Sequence, residues 1–317
     1  MISKLSLTSD FIRQNINSVQ LNSRNWIVAN EIETAIKKKM ETIGVPLKDW
    51  DINIYRGILT GYNDAFIIDT SKKDELVSQS GGEDLSNIIK PILRGRDVDR
   101  YKTNWQELYL IYIPWHFPLH KDSSISGASK EAEIQFQIQY PAIYNHLLNF
   151  KTQLSNRNKA ETGIRYEWYA LQRWGANYMD DFFKQKIIWK RIGSVIRFSY
   201  DESGLFCLDS TCFATGSDMK FLVGYLNSTV SRRELLRNSP QTGTGDVITS
   251  VQALEPLLIP KASEEAKYEI SRLVDLYLTA ISNNLIDEAI DVDCRINLLF
   301  FELFDLSVEE IAYISNS

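Results

Sequence analysis

The sequence predicts an α+β fold: an irregular mixed sheet with a leading helix and a C-terminal helical hairpin. Three observations carry that prediction. Between residues 49 and 260, short β-type runs alternate with only a few helical patterns. Ahead of them, Ile32, Ile36, Met40 and Ile43 recur at helical spacing. Beyond Ser263 the chain turns wholly helical and amphipathic. A chain of 317 residues, 44% apolar, is long enough to bury a sizeable core. The boundaries fall at 1–48, a lead-in with its helix, 49–260, and 261–317.

Each element follows from a local signal. The leading helix stops at Gly44 and Pro46. Ile52–Asp69 reads as a strand, a tight turn centred on Gly61 and a second strand, with Ile52, Ile54, Phe66 and Ile68 at period two. Further strands are expected over Leu108–Ile113, Lys186–Ile192, Val195–Tyr200 and Leu257–Ile259. A helical stretch spans Ile134–Leu154, in which Pro141 starts a new segment, because proline suits the first turn of a helix. Gly81-Gly82 and Ser123–Ser129 are polar loops. Ser263, followed by Glu264 and Glu265, is an N-terminal cap, and Ile270, Leu273, Val274, Tyr277, Leu278 and Ile281 then share one face. A second helix carries Ala289, Ile296, Leu299, Leu303 and Phe304. The two join near Asn283-Asn284 as an antiparallel hairpin. Ser307 with Glu310 is a capping box for a last short helix.

Composition narrows the function classes. No apolar run reaches the roughly 18 residues of a membrane span, and the N-terminus lacks a signal-peptide layout. Three cysteines suit a reduced, cytoplasmic protein better than a disulfide scaffold. The net charge of −6 argues at first sight against nucleic acid. Its distribution matters more: Lys151–Arg197 holds ten Lys/Arg against four Asp/Glu, whereas Ala262–Ser317 holds three against twelve. A polyanion would be drawn to the first segment and repelled by the second, which is better suited to packing on protein. Ordinary variation of surface charge is the plainer explanation of the same counts.

Several segments have the chemistry of nucleic-acid contact, each with a structural alternative. Arg56, Thr60 and Asn63 lie around the Gly61 turn. Arg94, Arg96 and Arg100 lie beside Gly95, with Asp97 and Asp99 between them; their guanidinium forks suit phosphate oxygens or guanine edges, or else local ion pairs. In Arg165–Trp174, the residues Arg165, Gln172 and Arg173 could make bidentate base contacts, with Trp168 buttressing or stacking, although such rings are commonly core. Lys186, Lys190 and Arg191 flank an apolar strand as phosphate clamps would, or as edge-strand charges would. Gln241, Thr242 and Thr244, with Gly243 and Gly245, offer hydroxyls and open N–H groups to phosphate.

Catalytic patterns are weak by comparison. His116 and His120 have a helical metal-ligand offset, but Pro114 and Pro118 oppose a helix there, so no metal site is assigned. Asp218-Met219-Lys220 and Glu265-Ala266-Lys267 are chance-level triplets, and no Ser/His/acid set emerges. No catalytic residue is assigned: the residues point to binding rather than chemistry.

The order of these segments resembles the TaqI-like C-terminal specificity domain of fused type II restriction–modification enzymes and N6-adenine DNA methyltransferases. The resemblance rests on INIYRGILTGYNDAFIID (52–69), IIKPILRGRDVDRY (88–101), YPAIYNHLLNFKTQLSNR (140–157), WYAL (168–171), KQKIIWKRIG (184–193), CLDSTCFATG (207–216), LVGYLNST (222–229), SPQTGTGDVITSVQALEPLLIP (239–260) and NLLFFELFDLSVEEI (297–311). It implies that the segment 49–260 is a target-recognition domain whose partner is double-stranded DNA. It further implies a methyltransferase domain, with or without a nuclease, in cis or as a subunit. S-adenosylmethionine would be bound in that upstream domain, since the Asn-Pro-Pro-Tyr-type motif and the Gly-rich cofactor turn are absent from this sequence. Two rivals remain: a protein-interaction module such as a phage-defence methyltransferase accessory, consistent with the negative net charge, and a free-standing hydrolase.

Overall fold

The computed structural model describes residues 18–22, 25–29 and 31–316. The lead-in expected before Ile32 therefore falls largely outside the described residues. In chain order the elements begin with β1 (Ser18–Asn22), β2 (Asn25–Ala29), α1 (Glu31–Ile43), β3 (Gly44–Pro46), β4 (Ile52–Arg56), α2 (Asn63–Phe66), β5 (Ile67–Ile68), α3 (Thr70–Gln79), β6 (Ile89–Leu93) and β7 (Tyr109–Ile111). There follow α4 (Lys130–Gln139), α5 (Pro141–Leu148), α6 (Lys151–Asn156), β8 (Lys186–Lys190), β9 (Ile192–Gly193), β10 (Phe198–Asp201), β11 (Phe206–Cys207), β12 (Thr211–Gly216) and α7 (Met219–Leu226). The chain closes with α8 (Thr229–Asn238), β13 (Val247–Ile248), α9 (Val251–Leu254), β14 (Leu258–Pro260), α10 (Glu264–Ser282), α11 (Ile286–Leu303) and α12 (Val308–Ser315). The fold is α+β with C-terminal helices, and its strands form several small sheets.

The chain divides into two compact units: residues 1–50, 224–238 and 253–317 in one, and 51–223 with 239–252 in the other. The first is mainly helical. α1 buries Ile36 and Met40 and ends at Gly44, where a Cβ would lie 2.6 Å from the Met40 carbonyl. α10 and α11 form the expected hairpin, turned at Asn283 and at Asn284 in left-handed conformation. Ser263 caps α10 by accepting from the Ala266 amide. Ser307 and Glu310 cap α12 reciprocally, and Lys39 reaches Glu310 at 2.8 Å.

The second unit is built on two four-stranded sheets, ordered β10-β8-β12-β4 and β11-β6-β7-β5. The first is antiparallel throughout, and β11 runs parallel to β6. A ring-rich core fills this unit; Phe182 stacks on Phe206 with centroids 4.4 Å apart and meets Phe213 at 4.6 Å. Pro141 starts α5, as expected of a residue that lacks an N–H to give. Burial pushes the Cys207 thiol up to about 12 and the Cys212 thiol up to about 11, leaving both protonated at neutral pH.

The strand, Gly61 turn and second strand read over Ile52–Asp69 are all present, but the two strands do not pair with each other. Gly61 does turn with φ +76°, but Asn63–Phe66 closes into a helical turn. β5 then pairs with β7, while β4 pairs with β12, more than 150 residues on. The period-two pattern was real, but each strand finds its partner far along the chain.

Candidate nucleic-acid interface

One end of the β10-β8-β12-β4 sheet gathers many of the predicted residues. β8 runs toward this end and finishes at Lys190, followed by Arg191; β4 runs the same way and finishes at Arg56. The antiparallel strands β10 and β12 start here, behind Arg197 and Ser210. The registers fix the row, with Arg56 opposite Cys212 and Thr211 opposite Lys190. Arg56, Arg173 and Arg191 all act on the Cys212 thiol, opposing the burial that raises it, while Asp209 acts with the burial.

A turn from the other sheet completes the row. Gly95 donates its N–H to the Ser210 hydroxyl at 3.2 Å, and a Cβ on Gly95 would lie 3.1 Å from Lys190 Cγ. Arg94 grips Asp97 with two side-chain hydrogen bonds of 2.8 and 2.9 Å, and the Asp97 carboxylate accepts the Arg94 N–H. Arg94 is therefore a clamp rather than a free fork; it fixes the tight Gly95–Asp97 helical turn that leaves Arg96 exposed.

The glycine loop hangs from the same end. β13 pairs with β9, and Thr249 donates its N–H to the Arg191 carbonyl at 2.9 Å and its hydroxyl to the Lys190 carbonyl at 2.7 Å. The loop closes with the Thr242 N–H donating to Asp246 and the Thr242 hydroxyl accepting the Asp246 N–H at 3.0 Å. Gln241 and Thr244 are exposed, and nothing lies within 4 Å of a Cβ built on Gly243 or Gly245. That open backbone suits the close approach of an anion. Among the described residues, no carboxylate holds Arg56, Arg96, Lys190 or Arg191, whereas Arg197 faces Asp99 at 3.0 Å.

The segment after β4 carries a second group. Leu59 and Arg173 exchange backbone hydrogen bonds, and Arg173 also donates from its guanidinium to the Gly57 carbonyl at 2.9 Å. A Cβ on Gly61 would lie 2.7 Å from both Gln172 Oε1 and Arg157 Cδ, which sets Gln172 against the turn. Asn63 is exposed, and its Oδ1 accepts from Thr60.

Arg157, which the sequence did not mark out, organises this region. Its guanidinium is half-buried, donating to the carbonyls of Thr60, Trp168 and Ala170, and lies over Phe66 and Tyr166 at 5.5 and 5.8 Å. Burial pushes its pKa down to about 10, so it stays charged at neutral pH. The three carbonyls belong to two chain segments, so one side chain staples the Gly61 turn to the 168–172 stretch.

Other residues singled out in the sequence are engaged within the protein. Lys186 is 0% exposed; its ammonium pairs with Asp201 and donates to the Phe182 carbonyl at 2.6 Å. It cannot reach phosphate, because β8 is covered on both faces from Lys186 to Trp189. Trp168 is buried and donates to Glu133 at 2.7 Å, and Thr60 is buried beneath Asn63, so neither is a contact surface. Arg165 is exposed but pairs with Glu161 at 2.7 Å and lies over Trp115, and Arg100 lies over the Tyr101 ring at 5.1 Å. Within the positive Lys151–Arg197 segment, Lys151 and Lys184 also lie against acids, Glu133 and Asp181. His116 Nδ1 lies 3.0 Å from Glu167, which also accepts the Ser129 N–H.

Comparison with known proteins gives this geometry its context. Residues 90–242 match the TaqI-like C-terminal specificity domain family. The type II methyltransferase M.MjaIV of Methanocaldococcus jannaschii is 28% identical over 228 residues, 69% of this chain and 68% of that protein. In fold, the chain is similar to the type IIL restriction–modification enzyme MmeI, solved in complex with DNA, with TM-score 0.58 and 12% identity. That likeness covers 86% of this chain and 36% of MmeI. The type IIG restriction endonuclease BpuSI gives TM-score 0.46 and 15% identity over 86% of this chain and 33% of BpuSI. The chain thus spans about a third of the length of these solved enzymes. The matched residues take in β6 through the start of the glycine loop, and with them Arg96, Lys190, Arg191 and Gln241. Over residues 90–242 the chain is thus similar to the TaqI-like C-terminal specificity domain, and over 228 residues to a type II methyltransferase.

Proposed function

We propose that this chain reads double-stranded DNA on behalf of a site-specific N6-adenine methyltransferase of the type II restriction–modification kind. The observation that carries the reading is the row at the sheet end. Arg56, Arg96, Lys190 and Arg191, without carboxylate partners among the described residues, converge there from separate strands and turns, beside an open glycine loop. Unpaired cations held at one edge by backbone registry form a surface for a polyanion. Lys190, Arg191 and the Gln241–Gly245 loop suit phosphate, while the exposed forks of Arg56 and Arg96 suit base edges in the major groove. Methyl transfer and S-adenosylmethionine binding belong, in this proposal, to a methylating domain outside these residues, with which the acidic helices Glu264–Ser315 pack.

Selection from a randomised duplex pool tests the reading. The full chain should enrich one word, and Arg56→Ala or Arg96→Ala should relax it at a single base pair by about 1–3 kcal/mol. The negative net charge favours the rival reading of a protein-interaction module. A pool that stays random after repeated rounds would support that rival.

A further inference from the structure

The strand expected over Val195–Tyr200 starts only at Phe198, and the residues it leaves out form an exposed loop at the sheet end. Val195 in that loop is 54% exposed, and Ile192 at its base is 36% exposed. Cations surround them. Lys190 and Arg191 precede the loop, Arg197, paired with Asp99, follows it, and the Lys190 ammonium would lie 3.1 Å from a Cβ built on Gly193. The β13–β9 pairing sets the Gln241–Asp246 loop alongside. A bend in water ordinarily carries Ser, Asn or Gly. A β-branched apolar side chain there, with basic residues on both sides, suits a ligand that is anionic outside and apolar within.

We propose that Val195 is a specificity-determining residue that packs its methyl groups on the 5-methyl group of a pyrimidine in the major groove. The inference rests on the DNA-reading function proposed above. Duplex DNA meets both requirements, since phosphates line the groove and the thymine methyl is its one apolar marker. Valine is short for wedging between base steps, a task performed by Phe, Leu, Ile, Met or Pro. Thymine and 5-methylcytosine share the methyl group, so the experiment separates them.

The duplex enriched by the full chain is resynthesised with each thymine replaced in turn by deoxyuridine and, separately, each cytosine by 5-methylcytosine. Binding is measured for the wild type and for Val195→Ala. At one thymine, loss of the methyl should weaken the wild type about fourfold, the effect of one buried methyl group, and leave Val195→Ala unchanged. A gain of that size at one cytosine on methylation, again confined to the wild type, would assign the same contact to 5-methylcytosine. Both proteins should keep the same salt dependence. If no position separates them while salt-dependent binding persists, the role of Val195 is overturned and DNA reading stands. If neither protein binds DNA in a salt-dependent way, both proposals fall.

Discussion

Lys186→Ala should destabilise the second unit by about 3–5 kcal/mol, the usual cost of leaving half of a buried ion pair without its partner. The ammonium is fully enclosed, and Asp201 additionally accepts from the Ser203 hydroxyl at 2.6 Å and the Leu205 N–H at 3.2 Å. Removing the lysine therefore strands a carboxylate that the fold cannot expose. Lys186→Met should cost nearly as much, since it restores volume but not charge. Adding Asp201→Asn should recover much of the loss, because the amide oxygen still accepts while the uncompensated charge is gone. Denaturant midpoints of the three variants measure this. A Lys186→Ala protein of wild-type stability with a flattened salt dependence of DNA binding would return Lys186 to the phosphate role read from its sequence position.

Arg157→Ala should cost about 3 kcal/mol or more, because three buried carbonyls lose a charged donor at once. Arg157→Lys should fall between the alanine variant and the wild type: one ammonium keeps the charge but lacks the fork that serves acceptors on two chain segments. The loss should be local in its consequence. Freed from the staple, the Gly61 turn and the 168–172 stretch should gain amide hydrogen exchange before the four-stranded sheet does. Thermal unfolding and exchange rates decide the matter; a wild-type Tm in Arg157→Ala would show that the carbonyls find other donors.

How far this structure was legible depends on the range of each interaction. The Ser263 cap, the Ser307–Glu310 box, the stop at Gly44 and the start at Pro141 depend on neighbours within a few residues, and the sequence displays them. Strand pairing does not. Ile52–Arg56 was recognisable as a strand, yet nothing nearby announces that its partner is Thr211–Gly216. The flanking position of Lys186 also misled, because a charged residue at a strand end faces water only where a side of the sheet meets solvent. Here both faces are covered until Lys190. In Arg165–Trp174 the rings of Tyr166, Trp168 and Tyr169 went to the core, which carried Trp168 away from any contact surface. Arg157 left no trace at all, since its acceptors are main-chain carbonyls that every residue possesses. The cations at the sheet end were individually visible, but their convergence is a product of registry.

The salt dependence of duplex binding tests the central claim most directly. For the full chain on mixed-sequence DNA, each phosphate contact should add about 0.9 to the slope of log K against log salt. Replacing Arg56, Arg96, Lys190 and Arg191 together by alanine should lower that slope by about two, the share of the Lys190 and Arg191 phosphate contacts, while leaving Tm unchanged, because these side chains are held by no carboxylate among the described residues. An unchanged slope in the quadruple variant, with the fold intact, would contradict the assignment of the sheet end as the DNA surface.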